Sequence, residues 1–436
     1  MLDITLDPER LTEGSPEEKA AFGLFAIRTP NGALTEGFDS FINSYRRGPL
    51  VSGYHVAQWF AWNWWRLRWE ARSAAAGWDF AHRMTSIGEG YVWPNLTIFS
   101  DGVRTALIAE PSARPEAKPF RYVGALPLVV PSSEFEASVD TFIAQVLQRI
   151  ENEGLRDTNL SRIWADVTAE RSDPEIAKRR KLEAYLGRDP DEVDDDAVEQ
   201  LLGDVKQLGA EAVDELAAHS AQRRYDPVKL AAATFTNIAQ TCGYSASSRN
   251  LVKLNVPLGS ARSAHIPAWR LGARVAQELR AQLKLEDGPI SNDQLADMVG
   301  TKKDVIVDAA SGAADLSFAL DDKKHEAKIV LRSKWQTGRR FDLARLLGDR
   351  LMSSGGTLFP ATRASTYRQK AQRAFAAELL SPFSVVEEML HGDYSAESQQ
   401  DVADHFSVSP LAIGTLLKNH GRMPRDAGDF DFDVVV

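Results

Sequence analysis

Trp59, Trp62, Trp65 and Trp69 recur at i, i+3, i+6 and i+10, a spacing that puts four indoles on one face of a helix. Phe60, Trp64 and Leu67 widen that face until residues 54–76 are apolar over most of a helical circumference. Such a helix is stable only when other elements wrap around it, so the N-terminal part of this chain has to build a domain on it. Trp62, Trp65 and Trp69, with Arg66 between them, form a candidate binding surface. No basic stripe accompanies these aromatics, as a nucleic-acid platform would require, and the spacing itself predicts a core helix. Glu70 follows Arg66 by four residues and offers it a local partner.

Around that helix the pattern predicts an α+β domain over 1–153. Its start, 1–20, is polar, carries Pro8 and Pro16, and reads as loosely held. Strands are expected at Phe22–Arg28, Thr97–Ser100, Ala106–Glu110 and Gly124–Val130, with turns at Asn31-Gly32 and Asp101-Gly102. An amphipathic helix over Ser138–Glu153 closes the domain. Residues 154–225 read as a charged helical segment, with helices at Ser161–Arg171, Asp173–Gly187 and Asp196–Ala221. Its acidic run Asp189–Asp196 lacks the calcium-loop pattern and reads as a solvated, helix-capping loop. Residues 226–267, rich in small polar residues at Ser245–Ser248 and Pro257–Ser263, read as a linker. The rest, 268–436, reads as a second α+β domain. Helices are expected at Trp269–Leu285, Ser291–Val299, 338–353 and 364–380, and strands at Val305–Val307, Asp315–Ala319 and Ala327–Leu331. A helix-turn-helix-like pair at 396–406 and 409–420 ends it. The fold class is therefore α+β, multidomain and helix-rich.

A net charge of −10 argues against a bulk binder of nucleic acid or anionic membrane. The single cysteine, Cys242, rules out an internal disulfide and a cysteine-based zinc site, and a cytoplasmic setting is expected. Met1–Asp7 lacks the basic start and apolar stretch of a secretory leader, and no apolar run is long enough to span a membrane.

The run Arg340-Phe341-Asp342-Leu343-Ala344-Arg345-Leu346-Leu347-Gly348-Asp349-Arg350 fits the frame of a zinc-peptidase helix whose chemistry is missing. In H-E-x-x-H two His one turn apart ligate zinc and the Glu activates water. Arg345 stands at the first His, Leu346 at the Glu and Asp349 at the second His. The region resembles the ImmA/IrrE-type metallopeptidase family. Arg340-Phe341-Asp342-Leu343-Ala344 is similar to its R-F-x-x-A lead-in, Gly348 to the Gly of its H-E-x-G-H, and Phe375–Pro382 to its F-A-x-x-L-L-x-P. Gly272–Leu285, Lys328–Leu331 and Val402–Gly421 are similar to its first helix, its strand before the active helix and its closing pair. The resemblance covers roughly 155 residues and implies a zincin-like C-terminal domain; 1–250 resemble no family. It also implies a carboxylate ligand where Gln369 stands, with Ala371 and Arg373 nearby. Arg345, Leu346, Asp349 and Gln369 are thus degenerate active-site positions, with no catalytic residue, metal ligand or cofactor expected. An Arg345–Asp349 ion pair, one turn apart, is expected in place of the metal.

Other chemistry is thinly represented. His325-Glu326 has Ile329 where a second His is needed, Glu388 and His391 make only half of a di-iron pattern, and no phosphate loop, nucleophile elbow or dinucleotide fingerprint occurs. In the closing pair the recognition positions are Pro410, Leu411, Ala412 and Thr415, which cannot make bidentate contacts to bases. The expected function is a non-catalytic pseudo-peptidase that binds another protein as regulator, sensor or scaffold, through a cleft whose strand edge accepts an extended peptide. The resemblance implies bacterial stress, mobile-element or phage-defence control. The rivals are an active metallopeptidase with an unrecognised metal site and a DNA-binding regulator using the C-terminal helix pair.

Overall fold

The computed structural model describes residues 2–73, 77–113, 119–125, 127–193, 195–223, 230–255, 264–308, 314–322, 324–353 and 355–424. The chain divides into two compact units, Met1–Asp194 and Asp195–Asp433. Both mix helices with small sheets, and every described pair of strands is antiparallel. No helix among the described residues is long and apolar enough to cross a membrane.

In the first unit the polar start is a strand. Asp3–Pro8 pairs with Phe22–Thr29, and Leu2, Ile4 and Leu6 alternate into the core, as a period of two requires. The Trp segment is two helices, Gly53–Trp62 and Trp64–Trp69. The break falls at Asn63, whose side-chain amide donates to the Trp59 carbonyl at 2.9 Å. Side-chain bonding of this kind competes with helix continuation, and it ends the single indole face that an unbroken helix would carry. The hairpin Leu96–Ser100/Arg104–Ala109 turns at Gly102, with φ of 93°, and Asp101 Oδ1 accepts from the amides of Val103 and Arg104. Helix Ser132–Asn152 packs Phe135, Val139, Phe142, Val146 and Ile150 against this core. The unit also contains Asn159–Ser172 and Pro174–Tyr185, so the boundary lies inside the segment read as 154–225.

The second unit begins well before 268. Its sheet has the order Tyr244–Ser247, Glu326–Val330, Ser317–Asp321, Leu358–Ala361. The stretch read as linker supplies the first of these strands, Tyr244 lying opposite Ile329, and helix Ala232–Cys242 before it. Phe235 of that helix meets Phe318 edge-on at 5.0 Å. Ser245 and Ser247, read as part of the linker, are edge-strand residues. Pro257–Ser263 and 425–436 lie outside the described residues. The expected helix Asp196–Ala221 is two, Asp195–Leu208 and Ala210–Arg223, parted at Gly209 with φ of 99°. Val305–Val307, expected as a strand, belongs to the short helix Asp304–Val307. Its apolar run is too short for periodicity to separate the two states.

Three helices form the centre of this unit: Ala268–Leu283, Gln336–Met352 and Tyr367–Leu380. They meet at Phe375, which is fully buried. A Cβ on Gly348 would lie 2.5 Å from the Phe375 ring, and one on Gly272 would lie 2.2 Å from the Ala371 carbonyl oxygen. Both glycines are helical, so alanine would gain about 1 kcal/mol in propensity. Overlap at such distances costs about 1–3 kcal/mol or more in a packed core. The steric cost decides at Gly272, where the obstacle is backbone and cannot rotate away. Gly272→Ala is expected to lower the melting temperature of the second unit in calorimetry, with Gly348→Ala milder because the Phe375 ring can shift. Unchanged melting of both variants would show that the crossing is not tight.

Candidate functional site

The helix Gln336–Met352 is buried from Arg339 to Arg350 except at half-buried Phe341, although six of those residues are charged. Arg339 and Arg340 are tied to backbone carbonyls of neighbouring segments, and Arg350 to a carboxylate. Arg339 donates to the carbonyls of Val305 and Ser333, and Arg340 to that of Ile290 at 2.7 Å. Arg350 reaches both carboxylate oxygens of Asp321, at 2.6 and 2.8 Å. Such bonds satisfy loop carbonyls that burial would otherwise leave costly.

The degenerate positions are brought together, but with different partners from those the spacing suggests. Arg345 donates to the Thr362 carbonyl at 2.6 Å and to Gln369 Oε1 at 2.7 Å. Gln369, fully buried, also accepts from the Thr362 amide at 2.8 Å and donates to the Pro360 carbonyl at 3.0 Å. The expected Arg345–Asp349 pair does not form. Asp349 instead receives a two-pronged contact from Arg368, at 2.6 and 2.7 Å, and the nearest carboxylate to Arg345 is Asp342 at 3.8 Å. A parallel fork on a carboxylate is stronger than a single contact along one helix face. Leu346, read from the motif frame as the general-base position, is fully buried in the apolar core. Arg368 has no signal of its own in the sequence, since nothing local couples it to a residue one helix earlier.

These bonds also occupy the strand edge expected to accept a peptide. Pro360 accepts from Gln369 and Gln372, and the amide of Thr362 is taken by Gln369. At the other edge Thr301 bonds the Ser245 carbonyl. Among the described residues a cavity of about 310 Å³ lies beside Arg345, walled by the Gln336–Met352 and Tyr367–Leu380 helices, Trp269 and the helix Pro410–Asn419. Of the recognition positions, Leu411, Ala412 and Thr415 line this cavity. Ala403, Val408 and Ile413 hold the closing pair together in the core. No group of three or more His, Cys, Asp or Glu side chains among the described residues is arranged to hold a metal.

In the first unit two residues of the candidate surface, Trp62 and Arg66, line one cavity of about 360 Å³, and Trp65 and Trp69 do not. Trp62 is 63% exposed, whereas Trp65 and Arg66 are buried and Trp69 is half-buried. Trp65 Nε1 donates to Glu170 at 2.7 Å, and Trp69 lies under Arg68 at 3.7 Å. Arg66 is bonded to Glu70 at 2.7 Å and to Asp189 at 3.4 Å. Asp189 and Asp191 of the acidic run are ion-paired, Asp191 taking both prongs of Arg180 at 2.8 Å, so the loop is not merely solvated. Trp62→Ala is expected to leave stability within about 0.5 kcal/mol, whereas Trp65→Ala costs about 3–5 kcal/mol. Denaturant titration of the two variants checks the contrast, and equal losses would overturn it.

Behind Arg368 lies Glu215, buried and accepting from the Thr366 hydroxyl at 2.7 Å. Burial raises its carboxyl from 4.5 to about 7, against the opposing pull of Arg368 and the Thr366 hydroxyl, with Asp349 adding to the rise. The folded chain therefore keeps a proton that the unfolded chain releases above 4.5. The contribution to stability is full below that pH, falls as pH rises to 7 and is flat beyond, a span of about 3 kcal/mol. Glu215→Gln is expected to flatten this slope in urea titrations between pH 4.5 and 8. An identical slope in both proteins would remove Glu215 as its source.

Comparisons with protein-family models, curated proteins and solved structures returned no match for this chain.

Proposed function

We propose that the second unit is a non-catalytic, ImmA/IrrE-like module that acts as a protein-binding regulator, with the cavity beside Arg345 as its recognition site. The observation that carries this reading is the Arg345–Gln369 bond at 2.7 Å. A zinc site needs three ligating donors about 2 Å from the ion and an open water position. Here a permanent cation and a neutral amide bond to each other at two of the expected ligand positions, Asp349 is engaged by Arg368, and Leu346 offers no base. The covered strand edges favour capture of a side chain or chain end over addition of an extended strand.

Direct DNA reading by the last helix is less well supported, because its Leu411, Ala412 and Thr415 line the same cavity and offer no bidentate donor. The reading fits a sensor in stress or phage-defence control.

Elemental analysis of the purified protein tests the proposal. Zinc well below one ion per chain is expected, and stoichiometric zinc would make it an enzyme with a metal site elsewhere. Combining Arg345→His, Leu346→Glu, Asp349→His and Gln369→Glu is expected to restore zinc uptake, if the frame is that of a peptidase helix.

A further inference from the structure

The cavity of about 360 Å³ in the first unit is walled by three helices of the Trp-rich segment and a turn. Helix Gly53–Trp62 contributes Gln58 and Trp62, Trp64–Trp69 contributes Arg66, and Trp78–His82 contributes Phe80. Trp62 is 63% exposed and Phe80 75%. Single apolar side chains on a surface are ordinary, but two large open rings on the wall of one cavity mark a place where something docks.

The polar groups of the wall are held in place without being used up. Arg66 is anchored from behind by Glu70 at 2.7 Å, and Glu70 is itself bonded to His82 at 2.9 Å. Its contact with Asp189 is longer, 3.4 Å. Asn63 is only 7% exposed, and its side-chain nitrogen donates to the Trp59 carbonyl. The side-chain oxygen of Asn63 accepts from no described residue, and the Gln58 amide bonds to none. Nε1 of Trp59, which also lines the cavity, is buried without an acceptor. Buried polar groups are nearly always hydrogen-bonded, so unmet donors and acceptors in one wall call for an explanation. Glu89 enters the wall on a strained turn, in which Gly88, Glu89 and Gly90 have φ of 80°, 57° and 77°. A left-handed residue that bears a side chain is costly, and such residues cluster at sites that use them. Trp93 donates to the Gly88 carbonyl and holds the turn.

We infer that this cavity binds a saccharide, with a sugar ring against Trp62 or Phe80 and its hydroxyls bonded to Gln58, Asn63, Arg66 and Glu89. The site lies in the first unit and does not rest on the reading of the second. A hydroxyl both donates and accepts, so the hydroxyls of one ring can meet an amide, a guanidinium and a carboxylate together. The C–H face of a pyranose is slightly positive, which suits the negative face of an aromatic ring. A volume of 360 Å³ falls within the span of small-ligand sites, about 300–1,000 Å³. A nucleotide fits less well, because Glu89 and Asp189 share the wall with Arg66 and repel a phosphate. A quaternary ammonium would suit the rings, but Arg66 repels it and it offers nothing to the unmet amides.

Isothermal titration of the full chain tests the inference. The probes are methyl glycosides of glucose, galactose, mannose and N-acetylglucosamine, the disaccharides maltose, cellobiose, lactose and chitobiose, adenosine 5′-monophosphate, and choline. At least one saccharide is expected to bind saturably, with a Kd of about 1 mM or tighter, and more tightly than the nucleotide and choline. Because the ligand is neutral, salt should hardly change its affinity. Trp62→Ala and Gln58→Ala should each weaken that binding by roughly tenfold or more. Trp62→Ala is expected to keep the fold, so its loss of binding reads the contact itself. Phe41→Ala, at an exposed aromatic of the same unit outside the cavity, should leave binding unchanged. No saturable binding of any saccharide probe, binding indifferent to Trp62 and Gln58, or tighter binding of the nucleotide or choline would overturn the inference.

Discussion

The second unit depends on one crossing. Phe375 sits where three helices come together, and two of them can come so close only because Gly272 and Gly348 lack a Cβ. Backbone meets backbone between Ala268–Leu283 and Tyr367–Leu380, at Gly272, while the Phe375 ring against Gly348 sets the distance between Gln336–Met352 and Tyr367–Leu380. That distance in turn lets Arg345 reach Gln369 and lets Arg368 reach back to Asp349. Packing therefore comes first and the polar network is fitted into it. A protein interior as dense as a molecular crystal leaves few other separations at which both forks would close.

A helix so buried and so charged departs from the usual amphipathic pattern. Leu343, Ala344, Leu346 and Leu347 carry the apolar contacts, while the arginines around them reach outward to carbonyls of loops before and after the helix. The guanidinium groups of Arg339, Arg340 and Arg345 thereby take the place of the water that a loop carbonyl would otherwise hold. The helix acts as a spine to which the surrounding irregular segments are hydrogen-bonded, which accounts for arginines where a core helix would usually carry leucines.

Much of this was legible locally. The helices at 338–353 and 396–406 and the strands on either side of Asp101-Gly102 stand where periodicity and turn residues put them, within a few residues. What periodicity does not see is pairing across distance. Tyr244–Ser247 is a strand because Glu326–Val330 lies beside it, and Asp3–Pro8 because Phe22–Thr29 does. The Trp helix breaks because Asn63 bonds its own backbone, a side-chain effect that a count of apolar positions passes over. The motif frame singles out Arg345, Asp349 and Gln369, and the partners that each of them has in the structure are not those the frame suggests. One-turn spacing within a helix offered Arg345 and Asp349 to each other, and tertiary packing offered Asp349 a better donor.

That exchange of partners also decides what holds Arg345. Had Arg345 paired with Asp349, Arg368 would keep only the more distant carboxylate of Glu211, at 3.8 Å. With Asp349 engaged by Arg368, Arg345 is held by a carbonyl and an amide oxygen, which orient it without neutralising it. Neutral acceptors fix a guanidinium in place and leave its charge available to whatever sits beyond it. The contacts that hold Arg345 at the end of its reach are thus set by which donor Asp349 takes, and that choice is made by the packing of two helices rather than by spacing along one.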